Sequence, residues 1–489
     1  MQAHRGFESH PLRHSAGTRD AVTEGLGRIA GPIAPVALLA WYVWNYRQGE
    51  VLGLPTLLVW GLVLAAGLIG FGVQARVGSG RGPVAWLAAL IAALVAAILL
   101  VVAALTVGST SVGQALAALA VLGGAASAAG AALAMLGRWR LSPEVLLAAG
   151  ALAMWAVMNV AAIETDVHII DGELLIYLGY DFHTYLAAGR DLLAGAPVYL
   201  EQAQTELPAT THGEPFLYPP VLLPAFVALA SIPRDVAAVV FGLVLVAAAA
   251  VGLRLIGMRW TWAVLLVAYP PLFKGILSGN VASLPFLLYT AAPIAGALLI
   301  VGALFKVQQL VPALWLVRDG RWRDLATGVA AVLVIVLVTL PFVGGIDRWA
   351  EYVQGLVYRE QSQRNLPILF GSSLAQYLPL AAFAALSVAV VLAALLPGGR
   401  KSLAMLGIAT IVASPSLWPH GFVMALPAVL ALPPLVLWLT LGVAVSGGAL
   451  WLLPVVGAVS AFVSWDRLRA NDPVDPMAGT RGPWARPSE

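Results

Sequence analysis

Long stretches without a charged residue constrain this chain more than any other feature. Residues 84–107, 111–136 and 370–396 contain no Asp, Glu, Lys or Arg. Each stretch is long enough to cross roughly 30 Å of hydrocarbon as a helix. Because backbone groups in lipid must form hydrogen bonds within the protein, such stretches are predicted to be transmembrane helices.

Composition supports a membrane protein and excludes several function classes. Of the 489 residues, 60% are hydrophobic and 10% are charged, whereas soluble domains carry about 25% charged residues. The chain has no cysteine, which excludes disulfides, thiolate catalysis and Cys-ligated metals. The formal net charge is +3 and no basic arm is suited to nucleic acid. Neither a metal site nor a cofactor is predicted.

The apolar pattern predicts an all-α polytopic protein with about 13 transmembrane helices. Residues 1–28 are polar and lack the apolar core of a signal peptide, so we expect a disordered cytoplasmic tail. Residues 29–163 form a helical block with few polar groups, and 164–464 hold most of the polar residues. Residues 465–489 are expected to be a disordered tail. Candidate spans lie near 30–46, 51–73, 84–107, 111–136, 144–163, 217–232, 235–254, 261–277, 280–300, 305–317, 325–342, 370–396, 402–413, 419–434 and 436–464.

The distribution of Lys and Arg predicts the orientation of the chain in a plasma membrane. Basic residues cluster before the first candidate span and in the turns near 76–81, 138–140, 318–323 and 400–401. Placing these clusters in the cytoplasm puts the N-terminus inside and two long loops, 164–219 and 343–368, outside. Strict alternation of the spans also places Arg254 and Arg259 outside, where the rule does not expect them.

The first outward loop carries a candidate catalytic carboxylate. Phe182, Leu186, Gly189 and Leu193 recur at helical spacing, which predicts a short amphipathic helix over 182–194. Asp181 then lies at its N-cap, where it could serve only to cap the helix. Alternatively, the carboxylate could accept a proton from a hydroxyl nucleophile at the membrane surface.

Three further polar positions interrupt the apolar segments. Lys306, followed by Gln308, could bind a lipid phosphate, since ionisable groups at membrane depth are functional candidates; it could equally extend to the interface. Tyr218 precedes two prolines and suits a helix entry or a fold of the loop over an active face. Asn280 follows a glycine and suits a tight turn.

The second outward loop and a later turn supply the remaining candidates. The loop 343–368 predicts an amphipathic helix on the membrane surface, followed by Arg359 and Arg364, which could contact phosphate or be ordinary surface charges. Trp418 and His420 lie in a proline-rich turn at membrane depth. His420 could be a buried structural histidine, or it could donate a hydrogen bond to a phosphate or a sugar hydroxyl.

These residues carry a resemblance to glycosyltransferase family 87. The Gly-Gln-x-Asn turn of that family is similar to Gly279-Asn280 without the glutamine, and its Lys-Pro-Gln stretch to Lys306-Val307-Gln308. Its Ser-Pro-x-x-Trp-x-His element resembles residues 414–420, and the resemblance covers about 165–440. The main signature is matched by Asp181, Phe182, Tyr185, Leu192, Gly195, Pro197, Tyr199, Phe216, Tyr218, Pro219 and Pro220.

The resemblance implies a GT-C-type fold and a specific reaction. A polyprenyl-phosphate sugar, typically mannose, would be the donor, and a glycolipid or glycan hydroxyl would be the acceptor on the extracytoplasmic side. Asp181 would be the general base of an inverting displacement, with His420 assisting, and Lys306, Arg359 and Arg364 would hold the phosphate. The side chains expected to line the substrate cavity are His183, Tyr185, Tyr199, Tyr218, Asn280, Gln308 and Trp418.

Two other function classes remain open at the level of sequence. A secondary transporter also has broken helices near the midplane, although the polar residues here cluster at one face and no paired halves are visible. The chain could also be a non-catalytic membrane scaffold, against which the complete motif around Asp181 argues.

Overall fold

The computed structural model describes isolated positions between 148 and 159, and then residues 167–170, 173–176, 180–199, 216–363, 371–445 and 447–463. The predicted tails and the block 29–163, apart from those isolated positions, lie outside the described residues. The chain divides into two compact units, and all the elements named below belong to the second, Thr106–Leu119 with Ala151–Glu489.

The segment 164–219, predicted to be an outward loop, contains a two-stranded hairpin that the sequence analysis did not anticipate. Strands β1 (Val167–Ile170) and β2 (Glu173–Ile176) pair antiparallel, with Val167 opposite Ile176. The dipeptide Asp-Gly lies between them in the sequence, and this is the strongest short-range hairpin signal. The prediction of helices alone therefore missed a small strand element in the first outward loop.

All other regular elements in the described ranges are helices. Short 3₁₀ helices span Pro220–Leu222, Val307–Gln309, Leu340–Val343, Leu374–Gln376, Pro419–Ala425 and Gly447–Trp451. The α-helices are α1 (Tyr180–Leu193), α2 (Leu223–Ala230), α3 (Arg234–Ile256), α4 (Trp260–Val267), α5 (Pro270–Leu277), α6 (Ser283–Ala291), α7 (Leu298–Gly302), α8 (Leu310–Arg318), α9 (Trp322–Thr339), α10 (Ile346–Gln363), α11 (Leu380–Leu395), α12 (Gly399–Val412), α13 (Leu426–Val429), α14 (Pro434–Val443) and α15 (Leu452–Val463).

Two helices of the described part are long and apolar enough to cross a membrane, and a third span is formed if the bent pair α4–α5 counts as one. They are α3 and the continuous segment Trp322–Val343, which begins with α9. The axes of α4 and α5 meet at 62°. The predicted total of about 13 includes many spans outside the described residues, so it stays a prediction.

The segment predicted as a span near 217–232 is not one. It consists of the 3₁₀ turn Pro220–Leu222 and the eight-residue helix α2, which is roughly 12 Å long at 1.5 Å per residue. Such a helix is too short to cross a bilayer. The run 370–396 is likewise shortened, because its helix α11 begins only at Leu380.

An aromatic cluster packs α1, α2 and α3 together and receives residues from two later elements. Val343, at the end of the α9 span, and Tyr352 of α10 belong to this cluster, so the C-terminal end of that span lies beside α1. The helix predicted over 343–368 is thus present as α10, and one part of its apolar stripe packs inward. The large aromatic members of the aromatic cluster are Phe182, Tyr185, Tyr199, Phe216, Phe226, Phe241 and Tyr352.

The ends of the long helices divide the polar residues into two groups. Helix α3 starts with Arg234, which contacts His183 of α1, and Arg254 lies in its last turn, about 30 Å away along the helix. Arg254 therefore lies at the end opposite to α1. The strict alternation counted the segment of α2 as a span, and α2 is too short for one.

The two basic turns after α8 and α11 lie against each other. Arg318 Nε donates to the carbonyl of Leu395 at 2.9 Å, and the backbone N–H of Gly399 donates to Asp319 Oδ1 at 3.1 Å. Since α9 starts beside the first turn and its span ends in the aromatic cluster, both turns lie at the end of that span opposite to α1.

Candidate active site

Helix α1 places Asp181 beside the turn that follows α5. Phe182 and Tyr185 bury their rings in the aromatic cluster, and this fixes the helix with Asp181 on another face. Because the helix starts at Tyr180, Asp181 lies in its first turn and not at the predicted N-cap. The backbone N–H of Asp181 donates to the carbonyl of Ser278 at 2.8 Å.

Asn280 holds the carboxylate of Asp181. Its Nδ2 donates to Asp181 Oδ2 at 2.9 Å, and its Oδ1 accepts from the backbone N–H of Ala282 at 3.0 Å. Gly279 has φ +71°, a conformation that glycine adopts without a steric penalty. The tight turn predicted for Asn280 is therefore present, and it presents the amide nitrogen to the carboxylate.

The environment of Asp181 raises the pKa of its carboxyl group above the ordinary value. Burial is the largest cause, since it disfavours the charged form. Hydrogen bonds from the side chains of Asn280 and Ser278 and the positive charge of Lys306 act in the opposite direction. Lys306 therefore lies within electrostatic reach of the carboxylate.

Three tyrosines form a hydrogen-bonded support under Asn280. The hydroxyl of Tyr218 accepts from the hydroxyl of Tyr185 at 2.9 Å and from Asn280 Nδ2 at 3.3 Å. The hydroxyl of Tyr199 donates to the backbone carbonyl of Tyr218 at 2.8 Å. These contacts fix the position of Tyr218, which in turn orients the amide that holds Asp181.

A pocket lies near the contact between Asp181 and Asn280. Its volume is about 440 Å³, its open mouth included. Ala282, two residues after Asn280, forms part of its wall, whereas Asp181 and Asn280 do not line it. Four of the predicted site residues line it, namely Lys306, Gln308, Trp418 and His420.

Lys306 and His420 are in direct contact inside this pocket. Lys306 Nζ lies 3.5 Å from His420 Nε2. An ammonium group has no acceptor atom, so Nε2 must be the acceptor and the ring proton is then on Nδ1. His420 is buried, and a Cβ atom built on Gly275 would lie only 2.9 Å from its Cβ. Helix α5 thus packs tightly against the histidine.

The turn that carries Trp418 and His420 is held by the segment before α11. The backbone N–H of Ser372 donates to the carbonyl of Leu417 at 2.6 Å, and Ser373 Oγ donates to the carbonyl of Ser414 at 2.5 Å. Gln308 Nε2 donates to Ser414 Oγ at 3.2 Å. These bonds satisfy backbone groups that a broken helix leaves without partners.

One comparison with known proteins found a matching family. The model of glycosyltransferase family 87 matches residues 216–415. This part of the chain is similar to glycosyltransferase family 87. No curated protein and no solved structure matched the chain in the other two comparisons. The family indicates a membrane glycosyltransferase, which acts on a sugar donor and an acceptor.

The family 87 region contains part of the site, and neighbouring segments supply the rest. Tyr218, Asn280 and Lys306 lie inside the matched range 216–415. Asp181 precedes that range and His420 follows it, yet both contact residues within it.

Several predicted site residues are not found in the pocket wall. His183 contacts the guanidinium of Arg234, whose Nη2 lies 2.6 Å from His183 Nε2, and Tyr185 and Tyr199 are buried in the aromatic cluster. Arg359 belongs to α10, and Arg364 lies outside the described residues. No group of metal-binding side chains was found within the described ranges.

The sequence analysis missed Ser278 and Lys274. The carbonyl of Ser278 accepts the backbone N–H of Asp181, and no sequence signal distinguishes this serine from others. Lys274 acts electrostatically on His420. Because it is the sole charged residue of the apolar helix α5, the same argument that selected Lys306 could have found it.

Proposed function

We propose that the chain transfers a hexose, in the first place mannose, from a polyprenyl-phosphate donor to a hydroxyl of a glycolipid or glycan acceptor. The reaction takes place on the extracytoplasmic face of a cell membrane and inverts the configuration of the sugar. Asp181 acts as the general base, and Lys306 and His420 hold the phosphate that leaves.

One observation carries this proposal. The carboxylate of Asp181 is hydrogen-bonded to Asn280, and two residues later Ala282 lines a pocket that also contains Lys306 and His420. Asp181 itself does not line the pocket. Transfer from a phosphate to a hydroxyl requires a carboxylate near a pocket that holds phosphate-binding groups, and these residues supply both. In the proposed reaction the base takes the proton of the acceptor hydroxyl, and Lys306 and His420 stabilise the negative charge that develops on the phosphate.

In the proposed mechanism, Asp181 and the phosphate-binding groups have different roles. As the acceptor oxygen attacks the anomeric carbon, Asp181 takes the hydroxyl proton, and the electrons of the sugar–oxygen bond move to the phosphate. The raised pKa of Asp181 suits this role, because a base whose pKa lies closer to neutral pH binds the proton more strongly than an ordinary carboxylate does. The remaining candidates, Arg359 and Arg364, would approach the phosphate from the second outward loop.

The location of the basic turns, at the end of the long helices opposite to Asp181, supports an outward orientation of the pocket. Asp181 lies at the end of the Trp322–Val343 span where Val343 packs into the aromatic cluster, whereas the turns containing Arg318 and Arg400 lie at the other end. Because clusters of basic residues face the cytoplasm, the pocket with Asp181 faces outward.

The direct test is a transfer assay with radiolabelled polyprenyl-phosphate mannose in membranes that contain the protein. Asp181→Asn keeps the shape of the side chain and an oxygen that can accept from Asn280. It should lower transfer by about 10²-fold or more, the usual contribution of a general base. Asp235→Asn is the matched control, because Asp235 lies exposed in the first turn of α3.

Two results would contradict the proposal. Normal transfer by a folded Asp181→Asn variant would exclude the assignment of the base. If the wild-type protein transferred no label but moved a labelled sugar across sealed vesicles, the chain would be a transporter.

A further inference from the structure

Lysine is rare in this chain, and two of its lysines act on the same histidine. Among 27 basic residues there are three lysines, Lys274, Lys306 and Lys401. Lys306 Nζ lies 3.5 Å from His420 Nε2, and the charge of Lys274 also acts on His420. Lys401 lies in the first turn of α12, beside the basic turn at the opposite end of the molecule.

Helix α5 gives Lys274 its position. Gly275 packs against His420 so closely that a Cβ atom would lie 2.9 Å from the Cβ of the histidine. Ser278, one turn after Lys274, accepts the backbone N–H of Asp181. The last turn of α5 therefore lies between the carboxylate and the histidine, and it carries one exposed ammonium group.

A purely structural role would explain only part of this arrangement. A lysine in the last turn of a helix interacts favourably with the negative end of the helix dipole. That interaction does not require a neighbouring histidine or a second lysine, and a charge in an apolar membrane helix is costly unless it has a use. Lys274 adds a second positive charge near the pocket that contains Lys306, and an anion bound in this region would interact favourably with both charges.

The charge of the phosphate changes during the proposed reaction. In the donor the phosphate is a diester with one negative charge. When the sugar leaves, the lipid phosphate becomes a monoester, which carries about −1.5 to −2 charges at neutral pH. The proton of the acceptor moves to Asp181, so it does not neutralise the new charge.

We propose that Lys274 is a second phosphate-binding cation, which pairs with the charge that appears as the sugar–phosphate bond breaks. This inference rests on the proposed function and adds a specific role within it. Lys306 and His420 bind the phosphate in both states, whereas Lys274 interacts mainly with the departing monoester. An interaction that is stronger in the transition state than in the bound donor raises kcat without lowering KM.

The proposal predicts a particular kinetic pattern for Lys274→Gln. We expect kcat to fall by about tenfold or more, somewhat less than for a fully buried donor group, while the KM of the polyprenyl-phosphate sugar stays within about twofold. Inhibition by the product, polyprenyl phosphate, should weaken at least as much as kcat falls. Lys274→Arg should restore most of both, because it keeps the charge.

The experiment compares Lys274→Gln, Lys274→Arg and Lys401→Gln with the wild-type protein in the transfer assay, using polyprenyl phosphate as the inhibitor. Thermal unfolding in detergent is measured for each variant. Lys401→Gln should match the wild type in kcat, in KM and in product inhibition. If Lys274→Gln does not fold, Lys274→Met replaces it, because this unbranched apolar side chain has a similar length and suits a helix.

The results separate this inference from the proposed function. Loss of kcat with weakened product inhibition, restored by arginine, supports Lys274 as the second cation. If Lys274→Gln or Lys274→Met behaves like Lys401→Gln, or if donor and product binding weaken equally, the inference is wrong while the transferase assignment stands. If the wild-type protein transfers no sugar, the proposed function itself has failed.

Discussion

Single side chains in this site derive their chemistry from their neighbours. Asp181 would be an ordinary surface carboxylate at the end of α1 if Asn280 and Ser278 did not hold it beside the pocket. The same is true of His420, whose Nε2 must accept a hydrogen bond because the atom facing it belongs to Lys306. The residue types were visible in the sequence, but these pairings join positions about 100 residues apart.

The raised pKa of Asp181 predicts the pH dependence of the reaction. A general base works only in its ionised form, so transfer should fall as the pH is lowered through the pKa of Asp181. Because burial raises this pKa, the midpoint of the acidic limb should lie above about 4, the ordinary value of an aspartate. The profile of kcat/KM against pH measures this midpoint.

Asn280→Ala provides the internal check of this prediction. It removes a hydrogen bond that favours the ionised carboxylate, so the acidic limb should move to higher pH. Asn159→Ala, which removes an amide bonded to the carbonyl of Ala268, should leave the midpoint unchanged. A midpoint at or below the ordinary value, or a downward shift in Asn280→Ala, would show that Asp181 does not set the limb.

At the scale of elements, a broken helix rather than a continuous one builds the site. Helices α4 and α5 meet at 62°, since Pro270 and Pro271 start a new helix after Tyr269. The bend directs α5 towards His420 and brings its last turn to Asp181. A straight span across this segment could not reach both groups.

Gly275 packs so closely against His420 that a larger side chain does not fit. Gly275→Ala would place a Cβ atom 2.9 Å from the Cβ of His420, so the histidine or α5 must shift, which would disturb the contact of His420 with Lys306. We expect transfer activity to fall by at least tenfold, since a displacement of about 1 Å can cost on the order of 10²-fold in rate. The transfer assay measures this loss.

Gly242→Ala is the matched control for Gly275→Ala. Gly242 lies within α3, and a Cβ atom there would meet nothing within 4 Å. Alanine favours a helix over glycine by roughly 0.5–1 kcal/mol, so this variant should be at least as stable as the wild type and fully active. Equal activity of the two variants would show that α5 does not position His420.

Many of the helices could be predicted from the sequence, but which of them are long enough to cross a membrane could not. The spans expected near 235–254 and 325–342 correspond to α3 and α9, because apolar runs of that length leave few alternatives. The segment near 217–232 is equally apolar and yet too short to cross, since its prolines divide it. Apolarity alone does not distinguish a crossing helix from one that packs beside the site.

The candidate site was predictable as a set of residues and not as an arrangement. Asp181, Lys306 and His420 could be selected because charged and proline-flanked polar residues are rare in an apolar chain. The sequence does not show that Tyr185 and Tyr199 support Asn280 from the aromatic cluster instead of lining the pocket. That difference depends on which face of α1 packs inward, and this is decided by contacts with α2 and α3.

At the scale of the whole molecule, the orientation follows from α3 and the α9 span together. Helix α3 begins beside His183 and ends near Arg254, and the segment Trp322–Val343 begins beside the basic turns and ends in the aromatic cluster. The two helices therefore cross in opposite directions, with the site at one common end. This removes the conflict that a strict alternation of spans had created for Arg254.

Because the chain has no cysteine, single introduced thiols can test this orientation without background labelling. Leu193, 61% exposed at the end of α1, and Trp322, 59% exposed at the start of α9, are suitable positions. The 22 residues of Trp322–Val343 span about 33 Å, enough to place the two thiols on opposite sides of a bilayer. Leu193→Cys should react with a membrane-impermeant maleimide in intact cells. Trp322→Cys should react only after permeabilisation, with the unmodified chain as the blank, and the reverse pattern would place the site in the cytoplasm and exclude an extracytoplasmic acceptor.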